Sequence, residues 1–261
     1  MKHKTLKNLI IALILIFLYL PIIILVLYSF NTSKMNVLFE GFTLDWYKNL
    51  FNNRTLLEAF TNTFIIAITS TITSTVLGTI GAIGLYKYNF KFKSFINLLL
   101  YIPIVIPEIV LGISLLSVYT LTKLELGMFT LILSHISFSI PFVIVSVRST
   151  FSKSLDTYEE AAKDLGADDI KTFFKITLPQ IMPGVISGAT LAFTLSLDDV
   201  VISYFTAGPG SNTLPLQIYS MIKTGISPDV NALTTLMLLV TMIILFSLTF
   251  IQGRKIVGEK K

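Results

Sequence analysis

Six stretches of the chain carry apolar residues almost without interruption: about Leu9–Phe30, Ala59–Tyr86, Phe95–Thr122, Gly127–Val147, Ile181–Phe205 and Ala232–Ile251. Each is nearly free of charge and approaches or exceeds the ~20 residues a helix needs to cross a ~30 Å hydrocarbon core. β-Branched residues abound in them. In lipid, however, every backbone N–H and C=O must be satisfied within the segment, which forces the helical solution. The pattern predicts an all-α membrane protein with six transmembrane helices, organised as one membrane domain over residues 1–261. Lys2, Lys4 and Lys7 imitate the basic start of a signal peptide. The apolar run to Phe30 is longer than the ~7–15 residues of such a segment, and no A-x-A site follows. It reads as an uncleaved first helix, with Pro21 tolerated inside the span.

The basic residues fix an orientation. With the N-terminus inside, all but five of the 20 lysines and arginines fall on the inner segments, leaving Lys34, Lys48, Arg54, Lys123 and Lys223 outside. That bias predicts both termini in the cytoplasm, and with them an even number of spans. The same sorting explains the net charge of +5 without a nucleic-acid partner. Charged residues make up only 13% of the chain, about half the ~25% of a soluble domain, so a water-soluble fold is excluded. Zero cysteines remove disulfides, thiolate zinc sites and a cysteine nucleophile, and two histidines make no metal cluster. The chain holds no P-loop signature and neither H-E-x-x-H nor G-x-S-x-G, so ATP binding and hydrolase chemistry have no support.

Two outer segments show local order. Asp45-Trp46-Tyr47-Lys48 reads as an interfacial helix with an aromatic anchor. Gly208-Pro209-Gly210-Ser211-Asn212 reads as a turn. The inner segment 148–180 is more informative. Asp156 and Glu159 have capping-box spacing, and Leu155, Tyr158, Ala162 and Leu165 share a helical face. Gly166 suits a C-terminal cap. Asp168 or Asp169 can cap a second short helix carrying Ile170, Phe173 and Phe174, with Pro179 to stop it. The result is a pair of short amphipathic helices with an apolar face to cover. Periodicity alone leaves open whether the protein's own spans, the lipid surface or a partner covers it.

In the same segment Glu160-Ala161-Ala162 is followed after three residues by Gly166 and after nine more by Ile176-Thr177-Leu178-Pro179. This resembles the EAA motif (EAA-x3-G-x9-I-x-LP) of the membrane subunits of bacterial ABC importers, and every fixed position matches. The loop also precedes the last two spans, as in that family. The resemblance implies a type I importer permease (MetI-like) fold with a cytoplasmic coupling helix docked into a separate ATPase subunit. The ATPase-coupling residues would be Glu160, Ala161, Ala162, Gly166, Ile176, Leu178 and Pro179. It further implies a homologous permease partner forming a heterodimer, two ATPase subunits holding the ATP and Mg, an extracytoplasmic binding protein, and residence in the bacterial cytoplasmic (inner) membrane. No cofactor would sit on this chain, and the chain would be a transport subunit rather than an enzyme. A second likeness narrows the solute. Residues 195–205 (Leu195 to Phe205), the following Gly208–Pro215, Asp45-Trp46-Tyr47 and Ile102–Glu108 resemble spermidine/putrescine permeases, most nearly the second of the two in such a system.

Three acids lie within predicted spans: Glu108, Asp198 and Asp199. An acid at the centre of a span costs roughly 2.5–3.5 kcal/mol, and no basic residue within a span is available to pair with these. Carboxylates along a passage stabilise a polycation and repel sulfate or phosphate, so polyamine is favoured over anion. Each acid also has a second reading. Glu108 follows Pro107 and suits the first turn of a restarted half-helix. Asp198 and Asp199 project about 100° apart on a helix, so one can cap a helix break while the other faces the solute. Tyr204 and Phe205 offer cation–π faces or plain packing. His135, among Ser134, Ser137 and Ser139, is read as an interhelical hydrogen-bonder before a proton relay. Thr69, Ser70, Ser74, Gly78, Gly81 and Gly84 read as close helix packing. Competing functions are an importer permease for another solute and an ATPase-independent cation channel or secondary carrier.

Overall fold

A computed structural model describes residues 2–33, 38–224 and 228–258. Twelve α-helices follow in chain order: α1 (Lys2–Tyr28), α2 (Asp45–Asn52), α3 (Arg54–Lys87), α4 (Lys93–Val105), α5 (Glu108–Leu121), α6 (Met128–Arg148), α7 (Lys153–Asp164), α8 (Asp169–Thr172), α9 (Leu178–Leu197), α10 (Val201–Thr206), α11 (Leu214–Thr224) and α12 (Pro228–Gly258). A π-helical turn, Phe173–Thr177, joins α8 to α9. Among the described residues the β-structure is one antiparallel bridge, Asn31 to Phe42.

Among the described residues four helical stretches are long and apolar enough to cross a membrane: Leu6–Tyr28, Arg54–Lys87, Met128–Arg148 and Asp169–Leu197. The third expected span is not one rod. It breaks into α4 and α5, bent by 112°, and makes a fifth crossing if the pair is counted as one. The cause is Pro107, which has no N–H and pushes the residue before it to extended backbone. Ile106 obliges, with φ −69° and ψ 138°. The fifth expected span is also interrupted, at residues 198–200 between α9 and α10. Near the C-terminal end the 31-residue α12 carries the apolar stretch Pro228–Ile244.

The chain divides into two compact units. One is Met1–Glu58 with Gln217–Phe246, the other Ala59–Leu216 with Ser247–Lys261. In the first, α1 exposes apolar side chains along its length, as a lipid-facing helix does. The Trp46 indole donates to the Asn31 carbonyl (2.7 Å), and the Tyr47 hydroxyl pairs with Ser29 Oγ (2.6 Å). The two aromatics therefore fasten α2 to the turn after α1, a role beyond the headgroup anchoring expected of them.

The second unit is built on α3, α6 and α9. Ala82, Leu85, Val143, Ile144, Val147, Leu155, Ile181 and Ala192 form its core. Small residues let the backbones close in, which is how helices pack without a hydrophobic drive between them. A Cβ on Gly78 would stand 2.7 Å from Val143, and one on Gly184 would stand 2.8 Å from the Ser146 carbonyl. Gly81 is likewise tight against Ile144, but Gly84 meets nothing within 4 Å and has no packing role within the chain. Ser70 and Ser74 are buried as expected, whereas Thr69 is exposed. The 208–212 turn forms, with Ser211 N–H donating to the Gly208 carbonyl (3.1 Å) and Gly210 at φ +74°. Asn62 on α3 holds that turn through the Gly210 and Asn212 carbonyls (3.2 and 3.0 Å).

Candidate functional site

Two groups of residues in the second unit carry the candidate chemistry. The first is segment 148–180. Helix α7 begins at Lys153 with Ser152 as its N-cap, earlier than the capping-box reading placed it. The two residues of that expected box do other work. Asp156 accepts from the Tyr86 hydroxyl (2.8 Å), and Glu159 is buried, accepting from Lys87 Nζ through both oxygens (2.8 and 2.7 Å) and from the Thr177 hydroxyl. The end of α7 matches expectation. Gly166 N–H donates to the Lys163 carbonyl (2.9 Å), Ala167 N–H donates to the Ala162 carbonyl (3.0 Å), and Gly166 takes φ +85°. That is a Schellman motif, which needs a left-handed residue at the position Gly166 fills. Asp168 caps α8 by accepting from Lys171 N–H (2.7 Å). Lys163 meets Asp169 across the turn at 2.8 Å, and this hydrogen bond with the carboxylate raises the Lys163 pKa.

The expected apolar face does not hold together. Leu155 is buried and Ala162 half-buried, whereas Tyr158 is exposed and Leu165 is 90% exposed. Ile170 and Phe174 are exposed too, and so are Glu160 and Ala161. Small and apolar side chains of the loop, Ala161, Tyr158, Leu165, Ile170 and Phe174, are thus left uncovered among the described residues, as is Glu160. Ile176 and Leu178 instead pack on the core of the unit. Pro179 does not stop a helix. It is the second residue of α9, and helix runs from Asp169 to Leu197. The wider π-helical turn just before it makes room for a ring that would otherwise clash with the preceding carbonyls.

The second group surrounds the helix breaks. Glu108 is the first residue of α5, as the half-helix reading has it, and it is exposed. Helices α5 and α10 pack so closely that a Cβ on Gly112 would lie 2.6 Å from the Phe205 ring. Asp198 ends α9 and is exposed, within electrostatic reach of Asp199 and Glu108. With α5 packed on α10, the two helix breaks that carry these acids belong to neighbouring helices. The structure also separates the roles of the neighbours. Asp199 turns inward and accepts from Ile202 and Ser203 N–H (3.1 and 2.7 Å), capping α10. Tyr204 is exposed, edge-on to Phe205, while Phe205 is half-buried against α5.

His135 completes this arrangement. Its Nδ1 pairs with Ser196 Oγ (2.7 Å), and its Nε2 faces Ser203 Oγ (3.1 Å) and Asp199 Oδ2 (3.5 Å). Ser70 on α3 pairs with Ser196 in turn (3.1 Å). The interhelical reading of His135 is the observed one, and its ring ties α3, α6 and both sides of the 198–200 break. In His135→Leu, Ser196 keeps Ser70 and Asp199 keeps its two backbone donors, so the loss of about 1–3 kcal/mol falls mainly on the buried Ser203 hydroxyl. Thermal unfolding of the detergent-purified protein is expected to shift to lower temperature. An unchanged Tm would mean that the network adds no stability.

Sequence reasoning missed Glu159, Lys87 and Thr177. The signal was faint: Glu159 lies four residues after Leu155, one helical turn along the buried side of α7.

Residues 74–256 match the family described as binding-protein-dependent transport system inner membrane component. The chain is 43% identical over 243 residues to the spermidine/putrescine transport system permease protein PotC of Escherichia coli K12, covering 93% of this chain and 92% of that one. It is 38% identical over 245 residues to the putrescine transport system permease protein PotI of the same organism, covering 91% and 87%. Among solved structures, a chain of a bacterial alginate ABC transporter in complex with an alginate pentasaccharide-bound periplasmic protein superposes with a TM-score of 0.73 at 18% identity, over 96% of this chain and 93% of that one.

Proposed function

The chain belongs to the family of binding-protein-dependent transport system inner membrane components, a transport subunit of an ABC importer and not an enzyme, and from that premise we propose that its cargo is a polyamine, spermidine or putrescine. The observation that carries the substrate is the placing of Glu108, Asp198 and Asp199 at two helix breaks on helices that pack together, in a protein whose relatives are named for these diamines and triamines. A passage lined with carboxylates lowers the energy of a polycation. In this reading Asp198 and Glu108 meet the ammonium groups directly, and Tyr204 offers a ring face to one of them. Asp199 holds the break open from behind.

The same reading makes the whole chain one permease domain with both termini in the cytoplasm and segment 148–180 as its coupling loop. A homologous permease completes the passage as a heterodimer, two ATPase subunits supply ATP and Mg, and a polyamine-binding protein delivers solute from outside. Glu160, Ala161, Ala162 and Gly166 form the ATPase-facing surface of the loop. Ile176, Leu178 and Pro179 anchor it on the spans. ATP-driven closure of the ATPases moves the loop and swings the passage between its two openings.

Labelled spermidine uptake into proteoliposomes tests this. The chain is reconstituted with its partner permease and ATPases, with loaded binding protein outside and ATP inside or withheld. ATP-dependent uptake abolished by excess cold spermidine is the expected result. ATP hydrolysis stimulated only by some other loaded binding protein would replace the polyamine with another solute. Uptake indifferent to ATP would make the chain a channel or carrier.

A further inference from the structure

We propose that Lys87, Glu159 and Thr177 form a transmission clamp, through which movement of the coupling loop reaches the acids at the helix breaks; this rests on the importer reading above. Glu159 is the buried residue of a loop helix that otherwise carries its charges on the surface. Its carboxylate takes Lys87 Nζ on both oxygens (2.8 and 2.7 Å) and the Thr177 hydroxyl as well. Lys87 is the last residue of α3, and Thr177 directly precedes α9. One side chain of α7 is therefore bonded at once to the ends of two spans.

One turn earlier a second fastening supports it. The Tyr86 hydroxyl donates to Asp156 (2.8 Å), and the Tyr86 ring stacks on Phe151 with centroids 4.2 Å apart. The inner side of α7 is thus fixed at 156 and 159, while Glu160 and Ala161 next to them are exposed. A push on the exposed side is resisted by the spans rather than absorbed by sliding of α7, because sliding would strip the buried Glu159 carboxylate of the half-exposed Lys87 ammonium and the Thr177 hydroxyl together.

The clamped helices meet again at the other group of residues. Helix α9 runs 20 residues, about 30 Å at 1.5 Å per residue, and has Asp198 as its C-cap. Helix α3 returns beside it there, with Ser70 paired to Ser196 (3.1 Å), and Ser196 holds His135. Loop and acids are joined by two rigid helices bonded at both ends, a contiguous path of the kind that carries coupling between distant sites. Lys87, Glu159 and Thr177 are positioning residues: each acts through the helices it joins.

The test uses the reconstituted complex and the ratio of spermidine taken up to ATP hydrolysed. Lys87→Met and Glu159→Gln are expected to lower that ratio about tenfold, within the usual range of inter-site coupling, with the ATPase subunits still co-purifying. The exchange Lys87→Glu with Glu159→Lys is expected to recover most of it. Should the charge variants fail to accumulate in the membrane, Thr177→Val keeps the ion pair and is read in the same way. A normal ratio in these variants would overturn the clamp and leave the importer reading intact. Loss of ATPase co-purification would also overturn it, by making Glu159 a docking contact. A wild-type complex without ATP-dependent uptake would sink the importer reading first, and the clamp with it.

Discussion

Asp198→Asn is expected to cut uptake at limiting polyamine by about 10- to 100-fold. The figure follows from one charge-assisted contact, worth about 1.5–3 kcal/mol, at about 1.4 kcal/mol for each factor of ten. Asparagine keeps the size of the side chain and removes its charge, so the fold at the end of α9 survives. The residue is exposed and ends the helix, so it gives nothing to the core when replaced. Asp199→Asn is a different experiment on a neighbouring position. Asp199 caps α10 through two backbone N–H groups and faces His135. Its replacement loosens the break itself and should lower both thermal stability and uptake. Initial uptake rates across a concentration series separate the two: Asp198→Asn raises the half-saturating concentration in protein of normal Tm, whereas Asp199→Asn lowers Tm as well. Unchanged uptake in Asp198→Asn would take the solute path away from the 198–200 break.

The contrast between these neighbours shows how much of the site was legible in the sequence. That two adjacent aspartates cannot face one passage follows from the 100° between successive residues, and the division into one cap and one open acid was readable. Which was which was not readable, because it depends on His135 from α6 and on Ser203 beyond the break. The break after Ile106 was legible in Pro107, but its 112° angle was not, since a proline interrupts a helix without saying where the next one goes. Apolar length predicts six spans, and the described residues are consistent with that: four long apolar helices, the bent pair as a fifth, and the apolar Pro228–Ile244 within the 31-residue α12.

The loop erred in another way. Helical spacing says which residues share a face, but not which face meets protein. Leu155, Tyr158, Ala162 and Leu165 were grouped by hydrophobicity, yet Glu159 is buried with Leu155 while Tyr158 and Leu165 stand clear. A buried carboxylate is invisible to a hydrophobic pattern until its Lys87 partner, 72 residues away, is in place. Pro179 misled because its usual effect was absorbed by an unusual turn, the π-helical residues before it. What periodicity did fix was local: the C-terminal cap at Gly166 and the N-cap at Asp168 involve only neighbours in the chain.

Gly166→Asp is expected to abolish ATP-coupled transport, by a factor above about ten, while the protein still inserts and folds. Gly166 has φ +85°, a conformation that costs an ordinary L-residue about 1–2 kcal/mol. Asp tolerates this region better than most residues, because its short polar chain bonds locally, so the Schellman turn is retained at a small penalty. No atom of the chain lies within 4 Å of a Cβ at this position. The added carboxylate therefore does not disturb the protein's own packing. It stands out beside Leu165, on the exposed surface assigned to the ATPase. There it adds bulk and a negative charge to the turn that ends α7. Gly166→Asn adds nearly the same bulk without the charge, and comparing the two separates steric from electrostatic exclusion. Co-purification of the ATPase and ATP-dependent uptake are the readouts, with membrane level and Tm as controls. Normal docking and transport in both variants would mean that this face of the turn is not in the interface, and the partner's contact would then have to be sought further along the loop, around Ile170 and Phe174.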